Sequence, residues 1–502
     1  MWLGGAVVFA VLATANGAGY RYGVSDQAFY IPAVIRASTP DAFPRDAPLI
    51  DAQARLMVLD ELLAWLTRTT GVALDLLFLA AYLVSLALIW AGVLSIGSHV
   101  YARQPSDDAS TDAGRRWRRT LWTTTALAAA MTLRHRIPRT SVNSFEPYFH
   151  PRMLAFGFGL LAIAALLRQR TGWAIALVAA AAVVHVTTAI WFAVLIGVAI
   201  ALVDARMRRL VVAGAIAVIA IGAWALTAGP LRGAMVRMDD VWLQAVASKD
   251  SLFPTEWPLW AWVGNLAVFA ILIVVHRYRQ SRRLATPEDR ALVWGATALV
   301  VMFLVTLPAV AGHVAIAVQF QVSRVFWLVD FLATVYAIDA IASRTMKVRE
   351  SAAAIAILLL AVSASRGAYI LFIEHPERPL FDLHLPDDPW NDAMQWVSHQ
   401  PRGVHTLADP GHAWKYGTSV RVAAGRDVFL EDVKDSAIAM YSRDVALRVV
   451  ERARALGDLG SLTPDSARTL ATRYDLDYVV AEQPFALPVA YRNSRFVIYR
   501  LR

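Results

Sequence analysis

The stretch 20-YRYGVSDQAFYIPAV-34 follows an apolar run, Trp2 to Gly19, and sets Asp26 among aromatic residues a few positions beyond what reads as a membrane exit. A carboxylate that is partly desolvated near a membrane surface can serve as a general base toward an incoming hydroxyl, or as a metal ligand. The same loop carries 40-PDAFPRD-46, which adds Asp41 and Asp46. On position alone, the plainer reading of Asp26 is a turn carboxylate after Gly23 and Ser25.

A second polar stretch strengthens the chemical reading. The segment 134-RHRIPRTSVNSFEPYFHPRM-153 brings Arg134, Arg136, Arg139, Arg152, His135 and His150 around a single acid, Glu146. Cations gathered where topology disfavours them call for an anionic partner, and a lipid phosphate is the obvious one. Phospholipid head groups, or ion pairs to Asp26, Asp41 and Asp46, would satisfy them equally. His185 opens 185-HVTTAIWF-192, and 313-HVAIAVQFQVSR-324 carries His313, Gln319, Gln321 and Arg324 inside otherwise apolar sequence. Ionisable groups in such segments are costly to hold unpaired, and Arg324 cannot shed its charge. A lone histidine there is more often a hydrogen-bonded packing residue. No cofactor is required by the sequence. A divalent cation, Mg or Mn, is the lesser alternative, because His150, His185, His313 and Glu146 come from separate segments with no metal-ligand spacing.

These residues need a membrane scaffold. The chain has 502 residues, 57% hydrophobic and 17% charged, with a mean hydropathy of +0.47, too apolar for an ordinary soluble protein. The net charge of +9 lies in short clusters between apolar runs, as membrane topology places it, which argues against nucleic acid. The absence of cysteine excludes disulfides and thiolate sites. No internal repeat stands out. The first apolar run lacks a basic leader and reads as a retained helix rather than a signal peptide.

Eleven spans are expected, near 2–19, 72–98, 120–133, 152–167, 172–185, 187–203, 210–228, 259–276, 291–311, 325–343 and 351–372. With a cytoplasmic N-terminus, the inner loops contain 115-RRWRR-119, 168-RQR-170, 206-RMRR-209, 277-RYRQSRR-283 and 344-RTMKVR-349, all basic. The spans 120–133, 172–185 and 187–203 are short for a full crossing. Four segments then face outward: 20–71, 134–151, 229–258 and everything after Phe372. In the first, Leu56, Leu59, Leu63 and Leu66 form one apolar stripe, which suits a helix lying on the membrane or one packed on its own loop.

Residues 1–373 thus form a polytopic α-helical membrane domain, and 374–502 a small extracytoplasmic α/β domain. Its expected helices are 390–400 and 444–456, and its expected strands 403-GVHTLA-408, 477-DYVVAE-482 and 496-FVIYRL-501.

In this layout the chain resembles the GT-C superfamily of polytopic glycosyltransferases that use polyprenyl-phosphate-linked sugars. The likeness rests on an acidic residue soon after the first helix, Asp26 in 25-SDQAFYIP-32, the loop helix near 51–69 and the outer domain after 373. More narrowly, 25-SDQAFYIPAV-34, 43-FPRD-46, 149-FHPRMLAF-156 and 185-HVTTAIWF-192 resemble an uncharacterised bacterial branch of GT-C-like proteins. The tail 421-RVAAGRDVFLEDVKD-435 resembles proteins carrying the domain of unknown function DUF6798. Asp26 is followed by Gln27, where many relatives have a second acid.

The resemblance implies transfer of a sugar from a polyprenyl-phosphate donor to an extracytoplasmic glycan, lipid or protein, in the bacterial cytoplasmic membrane. Asp26, with Asp46, would act on the acceptor hydroxyl. Arg134, Arg136, Arg139, Arg152 and Arg324 would hold the donor phosphate, with Glu146, His150, His185 and His313 nearby. Arg421, Arg426 and Lys434 would form an acceptor-binding lid. A lipid-linked-sugar transporter or flippase, and a non-catalytic envelope scaffold, stay open as alternatives. The arginine- and alanine-rich composition suits a GC-rich bacterial genome.

Overall fold

The computed structural model describes residues 2–54, 57–102, 113–229, 231–232, 234–344 and 351–502. Leu56 and the basic residues of 345–349 lie outside the described residues. The protein is a polytopic helical membrane protein with a small C-terminal sheet. Among the described residues, seven helical stretches are long and apolar enough to cross a membrane: Leu74–Val100, Val186–Val203, Ala205–Thr227, Leu259–Ser281, Pro287–Ala311, Ala315–Ala342 and Ala352–Glu374. Leu3–Asn16, Pro151–Leu167 and Thr171–Val184 are shorter apolar helices. With Ala113–Thr132, whose first turns are basic, helices stand at the positions of the eleven expected spans, and seven of these are long and apolar enough to cross.

Contacts at the helix ends bring the ends of Leu74–Val100 and Pro151–Leu167 and the start of Pro287–Ala311 to one face. Arg168, after Pro151–Leu167, donates to Ser95 O at 2.7 Å near the end of Leu74–Val100. Gln169 donates to Glu288 at 2.7 Å at the start of Pro287–Ala311. The segments around Arg168, Asp204 and Glu288 therefore gather on one face, while the first helix leads into Tyr20, whose N–H donates to Leu380 O at 2.8 Å on the other.

Leu74–Val100 and Pro151–Leu167 pack closely because each offers a glycine to the other. A Cβ on Gly157 would lie 2.8 Å from Leu88 Cβ, so the backbones could not approach so far with larger residues. Phe156 stacks on Trp327 at 3.9 Å, tying in the helix Val325–Arg344. On the basic face, the helix Leu259–Ser281 runs on through most of 277-RYRQSRR-283. Arg279, expected in a loop, is instead fully buried beside Asp289 and Asp339.

The loop after the first helix folds into Gln27–Ser38, Ala47–Ala54 and Leu59–Thr70. The described members of the expected stripe stay together, with Leu66 packed partly buried against the same core as Leu59 and Leu63. Leu59 and Leu63 are buried in the core that also takes in Ile31 and Val34, while Leu62 and Trp65 are exposed, so the helix packs on its own loop.

The C-terminal sheet runs in the order Asp427–Val428, His405–Leu407, Tyr478–Ala481, Val497–Arg500, Val489–Arg492, with the first three parallel and the last two antiparallel. Its period-2 alternation is clear: Val480 and Ile498 pack under the helix Pro389–Ser398 with Trp390 and Met394. Val479 and Tyr499 face the opposite side with Val445, Val449 and Leu470. That second core continues into Phe43, Leu49, Trp242 and Val318. The segment from residue 374 onward therefore shares a core with earlier parts of the chain, its helices Asp432–Ala439 and Arg443–Leu456 packing on Ala47–Ala54 and Asp240–Val246.

Candidate functional site

Asp26 precedes the helix Gln27–Ser38, which places its side chain between the membrane helices and the C-terminal domain. One oxygen accepts from Lys434 Nζ at 2.9 Å, and the other lies 3.4 Å from His150 Nε2. Burial alone would raise this carboxyl, but Lys434 and His150 outweigh it and hold it well below the usual carboxylate range. Tyr30, one turn along the same helix, brings its hydroxyl to 3.5 Å from His150 Nε2.

His150 and His185 share an arrangement that fixes their protons. Each is the N-cap of a membrane helix, Pro151–Leu167 or Val186–Val203. His150 Nδ1 accepts from Arg152 N–H at 3.1 Å, and His185 Nδ1 from Thr188 N–H at 3.2 Å. An accepting Nδ1 carries no proton, so in the neutral ring Nε2 does, and His150 donates toward Asp26. Burial and then Arg152 lower His150 to about 3, so the ring is neutral at ordinary pH. The two rings lie 6.1 Å apart. Helix N-termini capped by neutral donors favour an anion without adding full charge.

The full charges come from Arg152 and Arg324. Arg152 is 3% exposed, donates to Glu146 at 3.0 Å and lies over the Trp327 ring at 6.0 Å. Arg134 reaches the same carboxylate at 3.6 Å, and Asn143 donates to both its oxygens. Burial raises the Glu146 carboxyl, against the pull of Arg152 and Arg134. Arg324 has no acidic partner among the described residues, although Asp26, Arg152, Tyr30 and Tyr441 are its electrostatic neighbours. The Nε atoms of both Arg152 and Arg324 are buried without a hydrogen-bond partner. Three cations, Arg152, Arg324 and Lys434, thus share a desolvated centre with two carboxylates, Asp26 and Glu146. Orphaned guanidinium donors in such a place fit a phosphate or another oxyanion.

Other expected residues lie apart from this centre. Asp46 shares no hydrogen-bond partner with Asp26; it is fully buried and accepts from Arg421 Nε at 2.7 Å, from Val428 N at 3.0 Å and from Arg448. Arg421, expected on a lid, is 1% exposed and also grips Asp435 at 2.6 Å. A residue so enclosed ties the tail to the loop that carries Asp46 and cannot sweep over a substrate. Arg426 bonds carbonyls just past the helix Pro389–Ser398 and in its own turn, donating to Pro401 O at 3.1 Å and Gly425 O at 3.0 Å. Arg139 pairs with Asp250 and covers Trp260, and Arg136 is exposed on a two-stranded hairpin with Asn143 opposite. His313 packs edge-on against Phe253. Of the three lid residues, only Lys434 reaches Asp26.

Two participants escaped the sequence reading. Tyr30 stands at i+4 from Asp26, a helical spacing that could have flagged it. Tyr441, whose hydroxyl accepts from Gln321 at 3.2 Å, gave no signal, because only the folded tail brings it over 319–324. Among the described residues, no group of three or more His, Asp or Glu side chains is placed to hold a metal ion.

No family model and no curated protein matches the chain. Among solved structures, the crystal structure of the Archaeoglobus fulgidus oligosaccharyltransferase in the apo form is similar at 11% identity. The match covers 96% of this chain and 69% of that one, with a TM-score of 0.36, a likeness too loose to carry an assignment.

Proposed function

We propose that the protein is a glycosyltransferase of the GT-C kind, which moves a sugar from a polyprenyl-phosphate donor to an acceptor hydroxyl outside a bacterial cytoplasmic membrane. The observation that carries this reading is the pairing of one carboxylate, Asp26, with two incompletely bonded guanidinium groups, Arg152 and Arg324, at the membrane-facing side of the outer domain. In the reaction the acceptor oxygen bonds to the anomeric carbon while the carbon–oxygen bond to the phosphate breaks. The hydroxyl proton passes to Asp26, and the bonding pair leaves with the lipid phosphate. Arg152 and Arg324 stabilise that charge, and His150 orients Asp26 through Nε2–H. A polyprenyl phosphate stays at head-group depth, so the carboxylate must sit where the chain leaves the membrane.

The ion pair to Lys434 makes Asp26 a poor base as it stands. Acceptor entry must displace Lys434, which lets the carboxyl regain proton affinity where the hydroxyl arrives. The same pair favours a second reading, in which Asp26 only fastens the outer domain of an envelope scaffold. The deciding experiment is glycan transfer by protein reconstituted in membranes. Asp26→Asn should abolish transfer and Arg324→Ala should lower it by about 10²–10³ while the protein stays folded; unchanged transfer in both sinks the proposal. A flippase would instead keep moving lipid-linked sugar with Asp26→Asn.

A further inference from the structure

A second site lies far from this centre. Between the helices Trp2–Asn16, Leu74–Val100 and Ala113–Thr132 runs a groove of about 690 Å³, closed at one point by Leu360. Its walls are apolar for most of their length. Gly5 lies against the Trp90 ring, Ala128 and Ala129 leave room further along, and Thr132 marks the far end. From Arg116 to Thr132 the groove follows about 24 Å of helix at 1.5 Å per residue, against a hydrocarbon core of roughly 30 Å. An apolar channel of that reach, in membrane helices, is shaped for a hydrocarbon chain.

Its mouth is different. Arg116, Trp117 and Ser98 line the end on the basic face. Arg116 is exposed and has no acidic partner among the described residues, and it belongs to the run 115-RRWRR-119. Trp117, 57% exposed, suits head-group depth, where amphipathic rings gather. A cation and an indole at the entrance of an apolar groove complement a phosphate with an attached acyl chain, and basic pockets on this kind of face attract anionic lipid.

We infer that this groove binds one anionic phospholipid, with an acyl chain between the first, second and third membrane helices and its phosphate at Arg116. The site does not depend on the transferase reading, since it opens on the opposite face.

The test uses the delipidated full chain, titrated separately with phosphatidylglycerol and phosphatidylcholine, with bound lipid read by native mass spectrometry. One phosphatidylglycerol should be retained at least about fivefold more strongly than phosphatidylcholine, the effect of roughly one interfacial cation. Arg116→Gln, at an exposed position, should reduce that preference to parity. Gly4→Phe should remove the tightly held lipid altogether, since a Cβ at Gly4 meets nothing within 4 Å and the ring would fill the mouth. Equal retention of both lipids by the unaltered chain, or an undiminished preference in Arg116→Gln, overturns the inference, whatever Gly4→Phe does to folding.

Discussion

Two clusters of arginine and carboxylate lie on the same side of the molecule, and they are bonded in opposite ways. Around Asp46, nearly every charge is met. Arg421 is shared by Asp46, Asp435 and Glu431, and Asp46 also takes Arg448 and a backbone N–H. Around Asp26 the bookkeeping is incomplete, since Arg324 has no acid and two guanidinium Nε atoms lack partners. A saturated buried network fixes a geometry, whereas an unsaturated one keeps interaction energy for something that comes and goes. Both clusters looked alike as sequence, and only the pairing separates a fastener from a binding centre.

The comparison breaks most readily at Asp46. Asp46→Ala leaves Arg421 and Arg448 facing each other in a dry site, which should destabilise the outer region by about 3–5 kcal/mol. Unfolding midpoints in denaturant, or protease resistance of residues 374–502, would read it. Asp26→Asn should cost far less stability, because Lys434 keeps an amide oxygen as acceptor. A large loss there, and none at Asp46, would invert the assignment of the two clusters. Next comes Arg324→Ala, which should lower the rate of transfer by about 10²–10³, as for loss of one transition-state donor, with a small change in thermal stability. If Arg324→Ala unfolds the protein while leaving residual activity per folded molecule intact, Arg324 is structural.

A pH experiment sharpens the contrast. Burial raises the Glu431 carboxyl from 4.5 to about 7 against the pull of Arg421, with Asp435 adding to the rise. The folded state therefore favours the protonated form. Stability linked to Glu431 is complete below about 4.5 and is lost as pH rises toward about 7, at up to about 1.4 kcal/mol per pH unit. His412, 3.8 Å away, is lowered by burial to about 4. It favours the neutral ring, so its contribution is present above 6.5 and is lost as pH falls toward 4. Between about pH 4.5 and 6.5 the two contributions oppose each other, so Glu431→Gln should unmask a stability that rises with pH across that range, set by His412. An unchanged profile in that variant would show that Glu431 stays ionised beside Arg421.

What was legible in the sequence follows from which forces are local. Membrane helices announce themselves by length and apolar content, and both tail helices and three strands fall where periodicity puts them, with strand ends trimmed by a residue or two. The short strand Asp427–Val428 could not be read, since two residues carry no period, and Val489–Arg492 is half exposed and bulged. For the candidate site, Asp26, His150, Arg152, His185 and Arg324 were legible because a charge or imidazole near apolar sequence is costly and conspicuous. Their division from Asp46 and Arg421 was not, since it depends on contacts 375 residues apart in the chain.

The smallest expected effect is at Arg139, and it tests the contrast from the other side. Arg139 belongs to the same cationic loop as Arg152 and would carry equal weight if charge density alone bound a phosphate. Its guanidinium is already taken by Asp250 and lies on Trp260. Both partners are exposed, at 38% and 48% of the side chain. An exposed pair of this kind is worth about 0–1 kcal/mol. Arg139→Ala should therefore leave transfer within about twofold of the unaltered protein, by the same small energy, and should barely move thermal stability. A loss comparable to that of Arg324→Ala would mean that the donor phosphate reaches across the 134–153 loop, and that a cation with a partner can still belong to the site. Then pairing would no longer be the property that marks it.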